Sequence, residues 1–185
     1  IKGNADRYGE KNELLVPVSL LSALSLFVYF IFTNIYRLDP KKYAAENKSR
    51  LQRIGFAVAV FLAALVCMFI YSGIKGGSRF DISLVLCGVG LLFAIIGNYM
   101  PNMKPNYFAG LRLPWTLEDA DNWRKTHALA GKLWFAGGLL LAALCLIIPS
   151  TIALILFFSV TLFMIIIPSV YSYRLYKKQK SRGKI

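Results

Sequence analysis

Apolar and polar positions follow one another along this chain in long blocks, with no stretch of strand-like alternation. Five apolar runs stand out: Leu14 to Ile35, Ile54 to Ile74, Ile82 to Met100, Leu133 to Ile148 and Thr151 to Tyr173. A hydrocarbon core about 30 Å thick takes roughly 20 residues of helix. The fourth run is short by itself, and Ala128 to Lys132 extend it. Each run must be helical, because a single span in lipid satisfies its backbone N–H and C=O groups only that way. The predicted fold is all-α, a polytopic transmembrane helical bundle with five spans.

Composition agrees with this pattern. The chain is 57% hydrophobic and 17% charged, whereas a soluble domain carries about a quarter charged residues. Its net charge of +13 suits either nucleic acid or an anionic membrane surface. The apolar fraction decides for the membrane. The bases also lie in short blocks between apolar runs, unlike the continuous stripe of a nucleic-acid binder.

The position of those bases predicts an orientation. Segments 36–53, 101–132 and the tail from Arg174 carry 17 of the 22 lysines and arginines; the segments between them, 1–13, 75–81 and 149–150, carry 5. The positive-inside rule then places the first set, including the C-terminus, in the cytoplasm against the anionic inner leaflet.

Smaller features refine the spans. Pro17 falls in a first helical turn, where its missing N–H costs nothing. Pro149 separates the last two spans as a tight hairpin, and Pro168 is expected to kink the fifth. Gly90 with Ala94, and Gly138 with Ala142, make small-residue faces that allow close helix approach. Trp115, Trp134 and several tyrosines lie near run ends, as an interfacial aromatic belt would. Cys67, Cys87 and Cys145 have neither metal-ligand nor redox spacing and read as small buried hydrophobes. No span holds an ionisable residue in its middle, which weighs against an ion-coupled transporter.

The stretch Gly97 to Gly131 breaks the pattern with a dense mixture of Gly, Pro, Asn, Trp and charge. Met100-Pro101, Lys104-Pro105, Gly110 and Leu113-Pro114 describe an extended, turned linker. Thr116 reads as the N-cap of a helix from Leu117, with Glu118 and Asp119 in its first turn. Ala120, Trp123, His127, Ala130 and Trp134 then share one face, with Asn122 mostly off it. The prediction is an amphipathic cytoplasmic helix over 117–131 on the inner membrane surface, turning at Gly131 into the fourth span. Arg112 has two readings: an anion or carbonyl ligand with Trp115 packed beside it, or an arginine on lipid phosphate with Trp115 at the headgroups. His127 is the only histidine and has no visible partner, so it reads as structural. No catalytic set, phosphate loop or metal-ligand spacing occurs, so neither an enzyme nor a metal or cofactor is expected.

Taken together, Gly97-Asn98, Pro101, Asn106, Gly110-Leu111-Arg112, Pro114-Trp115-Thr116-Leu117, Trp123, Thr126-His127 and Gly131 resemble the SdpI family. Two positions depart from the family pattern: Leu111 stands for Ile, and Leu113 for Thr, which removes a hydroxyl beside Arg112. Gly3, Asp6, Tyr8-Gly9, Lys11 and Pro17 resemble a short outward-facing module that often precedes the family's domain, after one further helix. That resemblance implies six spans in the intact protein, consistent with a chain that opens at Ile1 on a polar segment.

The family resemblance implies a membrane protein of the bacterial plasma membrane that gives immunity to a secreted antimicrobial peptide toxin. It also implies signalling by recruitment of a cytoplasmic transcriptional repressor. The division expected is 1–35 for the outer segment and first span, 36–81 for the basic loop, second span and outer loop, 82–173 for the family core and 174–185 for the basic tail. A small-molecule or ion permease is the alternative, and Ser22, Ser25, Thr33, Ser72, Ser159 and Thr161 are its thin polar material.

Overall fold

Apolar runs that have only lipid and one another for company form long, plain helices. A computed structural model describes residues 11–41, 43–74 and 81–182. Its long helices are α1 (Leu15–Asn34), α2 (Lys48–Ile74), α3 (Ile82–Tyr99), α5 (Ala120–Ile147) and α6 (Ser150–Lys180). A single extra turn, α4 (Pro114–Glu118), lies in the loop before α5. All five long helices are long and apolar enough to cross a membrane, and the chain is an integral membrane protein. The described residues contain no strand. The resemblance to an outer module rests largely on residues 1–10, and Lys75 and Arg79 belong to the segment between α2 and α3; these lie outside the described residues.

Small residues decide how the helices meet. The two faces read from the sequence pack on each other: a Cβ on Gly90 would stand 2.8 Å from the Ala142 nitrogen, and one on Gly138 would stand 2.5 Å from the Gly90 oxygen. Backbone against backbone leaves no room for a side chain, so α3 and α5 form the tightest pair. Further along the seam, Gly97 meets Gly131 and Pro101 covers Gly131. Leu86, Leu141, Cys145, Ala153 and Phe157 fill the space between α3, α5 and α6. The other pair is α1 with α2, tied where the Ser25 hydroxyl donates to the Ala59 carbonyl at 3.0 Å and where Gly55 meets Phe32. Large apolar side chains such as Leu20, Phe27, Ile155 and Phe163 cover the outer surface, as a lipid solvent requires.

Pro168 lies inside α6, which continues through it to Lys180. Proline has no N–H to give the carbonyl four residues earlier, here Met164. The Trp134 indole N–H of α5 donates to that same carbonyl at 3.1 Å. Trp134 is therefore not a belt residue: it packs on Phe93 and replaces the bond that Pro168 removes. Cys145 is fully buried as expected, whereas Cys67 is exposed on α2.

One sequence expectation needs correcting. No separate surface helix turns at Gly131: α5 runs unbroken from Ala120 to Ile147. Twenty-eight residues span about 42 Å at roughly 1.5 Å each, more than a hydrocarbon core of about 30 Å. The polar side chains Asp121, Asn122, Arg124 and Lys125 all fall in its first two turns. The basic tail is likewise the last stretch of α6.

Candidate functional site: the loop between α3 and α5

The three segments richest in base converge at one end of the bundle, as their alternation along the chain requires. Asn47, fully buried just before α2, grips the loop backbone: its Nδ2 donates to the Lys104 carbonyl at 3.0 Å and its Oδ1 accepts from the Lys104 N–H at 2.9 Å. Lys41 Nζ donates to the Leu117 carbonyl at 2.9 Å, and Asp39 Oδ2 accepts from the Tyr107 N–H at 3.2 Å. From the other side, Gln179 of α6 donates to Asp119.

Within the loop, buried side chains take the place of regular secondary structure. Asn106 is 1% exposed. Its Oδ1 accepts from the Phe108 and Ala109 N–H groups at 3.0 and 2.7 Å, and its Nδ2 donates to the Lys104 carbonyl at 3.0 Å. These bonds close a turn that leads to Gly110, whose φ of +99° is one that side-chain-bearing residues rarely adopt. A Cβ there would also collide with the His127 ring.

His127 and Trp123 rise from the first turns of α5 and are buried. Their rings stack 3.9 Å apart. The Trp123 indole donates to the Met103 carbonyl at 2.8 Å. His127 Nε2 accepts from the Leu111 N–H at 3.1 Å, and its Nδ1 lies 2.9 Å from the Trp123 carbonyl. A carbonyl only accepts, so Nδ1 carries the proton and the ring is neutral. Both nitrogens are occupied in holding backbone, as a structural histidine's are.

Thr116 is not an N-cap. Leu113 occupies that position, extended at φ −88° and ψ 150°, with Pro114 first in the helix, where proline is favoured. Thr116, fully buried, reaches back: its oxygen accepts from the Leu113 N–H at 2.9 Å and lies 2.8 Å from the Leu111 and Leu113 carbonyls. This is the reciprocal half of a capping box, made here without a capping side chain at Leu113. Asp119 caps α5 by accepting from the Asp121 N–H at 2.8 Å. Asp121 sits in the first turn, bonded to Arg124 and Lys125.

Trp115 faces α6. Its indole donates to the Ser172 hydroxyl at 2.9 Å, and its ring meets Tyr173 and Tyr176 at 5.4 and 5.8 Å. Ser172 in turn donates to Asn122 Oδ1 at 2.7 Å; Asn122 also accepts from Thr126 at 3.0 Å and donates to the Ser172 carbonyl at 3.1 Å. Asn122 is thus buried, toward α6, off the face on which Trp123 and His127 meet the loop.

Arg112 is exposed. Its Nη1 donates to the Tyr107 carbonyl at 2.6 Å. Asn98, near the end of α3, is also exposed, on a side groove with Leu91, Ile95 and Phe135. The loop therefore unites Asn106, Gly110, Thr116, Trp123 and His127, links Trp115 and Thr126 to α6, and leaves Asn98 apart. Sequence reasoning missed Asn47 and Ser172. Ser172 between Tyr171 and Tyr173 had a visible signal, a hydroxyl at the end of an apolar run.

The comparisons with known proteins meet this geometry. The family model described as the SdpI/YfhL protein family matches residues 102–172, the stretch from the loop to Ser172. A curated relative, the Immunity protein SdpI of Bacillus subtilis (strain 168), is 28% identical over 166 residues, covering 88% of this chain and 80% of the relative. No solved structure matches the chain. The loop is built from the same irregular residues that carried the resemblance, and the chain is similar to the SdpI/YfhL protein family through that stretch and to an immunity protein along most of its length.

Proposed function

We propose that this protein is a membrane immunity protein that protects a bacterium from a secreted peptide toxin and signals to a cytoplasmic repressor through the loop between α3 and α5. The observation that carries the reading is the relationship to an immunity protein along 88% of the chain. The basic end faces the cytoplasm, because 17 of the 22 basic residues lie there or next to it and translocation disfavours them. A hydrophobic toxin meets the helices within the lipid. α6 is placed to report its arrival, since Ser172, Tyr173 and Tyr176 hold Trp115 three residues from the exposed Arg112. Small shifts of α6 would move the surface that a repressor reads.

The test uses a bacterium sensitive to such a toxin, carrying a reporter under the repressor's control. The wild-type protein should protect and derepress. Arg112→Ala should reach the membrane at the wild-type level and lose at least tenfold in reporter signal. Full signalling by Arg112→Ala would remove that side chain from the mechanism. Absence of protection by a wild-type protein confirmed in the membrane would overturn the immunity reading for that toxin.

A further inference from the structure

We propose that the grooves flanking α3 at the basic end hold one anionic diacyl phospholipid. A groove of about 600 Å³ lies against α1, α2 and α3, walled by Tyr29, Phe56, Val60 and Ile95 and headed by Ser49, Gln52 and Arg53. A second, of about 390 Å³, runs on the other side of α3 between Leu91, Ala94, Phe135 and Leu139, headed by Asn98. Ile95 and Tyr99 line both, so the two grooves adjoin along α3, each with polar residues and an apolar wall. That is the shape of a two-chain amphiphile.

Charge selects the headgroup. Arg53 stands at the start of the second apolar run, one residue before Ile54, where the chain passes from basic to apolar. It is exposed, and among the described residues no acidic side chain forms an ion pair with it. A guanidinium binds phosphate through paired N–H groups, and Ser49, Gln52 and Asn98 supply neutral hydrogen-bonding groups beside it. From Arg53 to Val60 the wall is about 10 Å long, enough for the upper part of an acyl chain in a leaflet of roughly 15 Å. Two adjoining grooves suit two acyl chains better than one extended hydrophobic peptide.

The test is independent of immunity, since it needs no toxin. The full chain is purified in detergent and titrated by native mass spectrometry with dioleoyl phosphatidylglycerol and with dioleoyl phosphatidylcholine. One phosphatidylglycerol should be retained per chain, about fivefold more tightly than phosphatidylcholine, the ratio that roughly 1 kcal/mol per basic residue near an anionic surface corresponds to. Arg53→Gln should abolish the preference, whereas Arg174→Gln, on the exposed end of α6, should keep it. Ala57→Trp, which fills the larger groove, should reduce retention of both lipids. Its melting temperature, measured in parallel, checks its folding. Equal losses from Arg53→Gln and Arg174→Gln would mean a diffuse charge effect and overturn the site. So would undiminished retention by a folded Ala57→Trp, or a peptide in place of phospholipid in protein purified from native membranes.

Discussion

At the scale of single residues, the loop shows how a chain without regular structure is held in one shape. Buried polar side chains there hold the backbone: Asn47 and Asn106 bond Lys104, Thr116 bonds Leu113 and His127 bonds Leu111. The bonds converge on Gly110, which has the least tolerance. Its left-handed backbone and the His127 ring beside its Cα forbid a side chain for two separate reasons. Gly110→Ala should destabilise the protein by about 1–3 kcal/mol, from backbone strain plus the lost Leu111–His127 bond. Thermal unfolding in detergent would show it, and an unchanged melting temperature would mean that the loop contributes little to the fold. Gly110 was visible in the sequence as a turn residue, but nothing in the sequence pointed to His127 as its neighbour. That contact needs the register between the loop and α5.

At the scale of elements, α5 and α6 are joined by an exchange of hydrogen bonds. Pro168 deprives Met164 of its helical partner, and Trp134 supplies another from the neighbouring helix. Removing the indole N–H by Trp134→Phe should therefore cost about 1 kcal/mol, in the range for interhelical bonds in membranes. In a Pro168→Ala background the helix bonds Met164 itself, and the cost should fall toward zero. A double-mutant cycle measures that coupling directly. Equal costs in both backgrounds would show that Trp134 acts through packing alone. The spans were legible because apolar run length is nearly all that a lipid solvent demands. Their facing surfaces were partly legible, since Gly90, Ala94, Gly138 and Ala142 are small for a reason that sequence displays. The start of α5 was misread because Gly131 resembles a helix stop. It is instead a contact point, where Gly97 and Pro101 press against the backbone of a continuous helix.

At the scale of the whole molecule, the bundle has a quiet end and a busy one. The Pro149 turn closes one end with an uncharged hairpin. The other gathers residues 36–47, the loop before α5 and the end of α6 into one hydrogen-bonded surface. Contacts such as Lys41 to Leu117 and Gln179 to Asp119 require these segments to share a side of the membrane, whichever side that is. Charge then chooses the side, since carrying 17 basic residues outward opposes the bias that retains lysine and arginine in the cytoplasm. Single cysteines read this out. Ser181→Cys lies at the end of α6 on the busy side, and Asn12→Cys lies just before α1 at the other end. In intact spheroplasts a membrane-impermeant maleimide should label Asn12→Cys at once and Ser181→Cys only after permeabilisation, against the background of the native cysteines in the apolar helices. The reverse pattern would invert the protein and with it the proposal that the loop addresses a cytoplasmic repressor. Labelling of both in intact spheroplasts would mean mixed insertion, which a charge difference of this size should prevent.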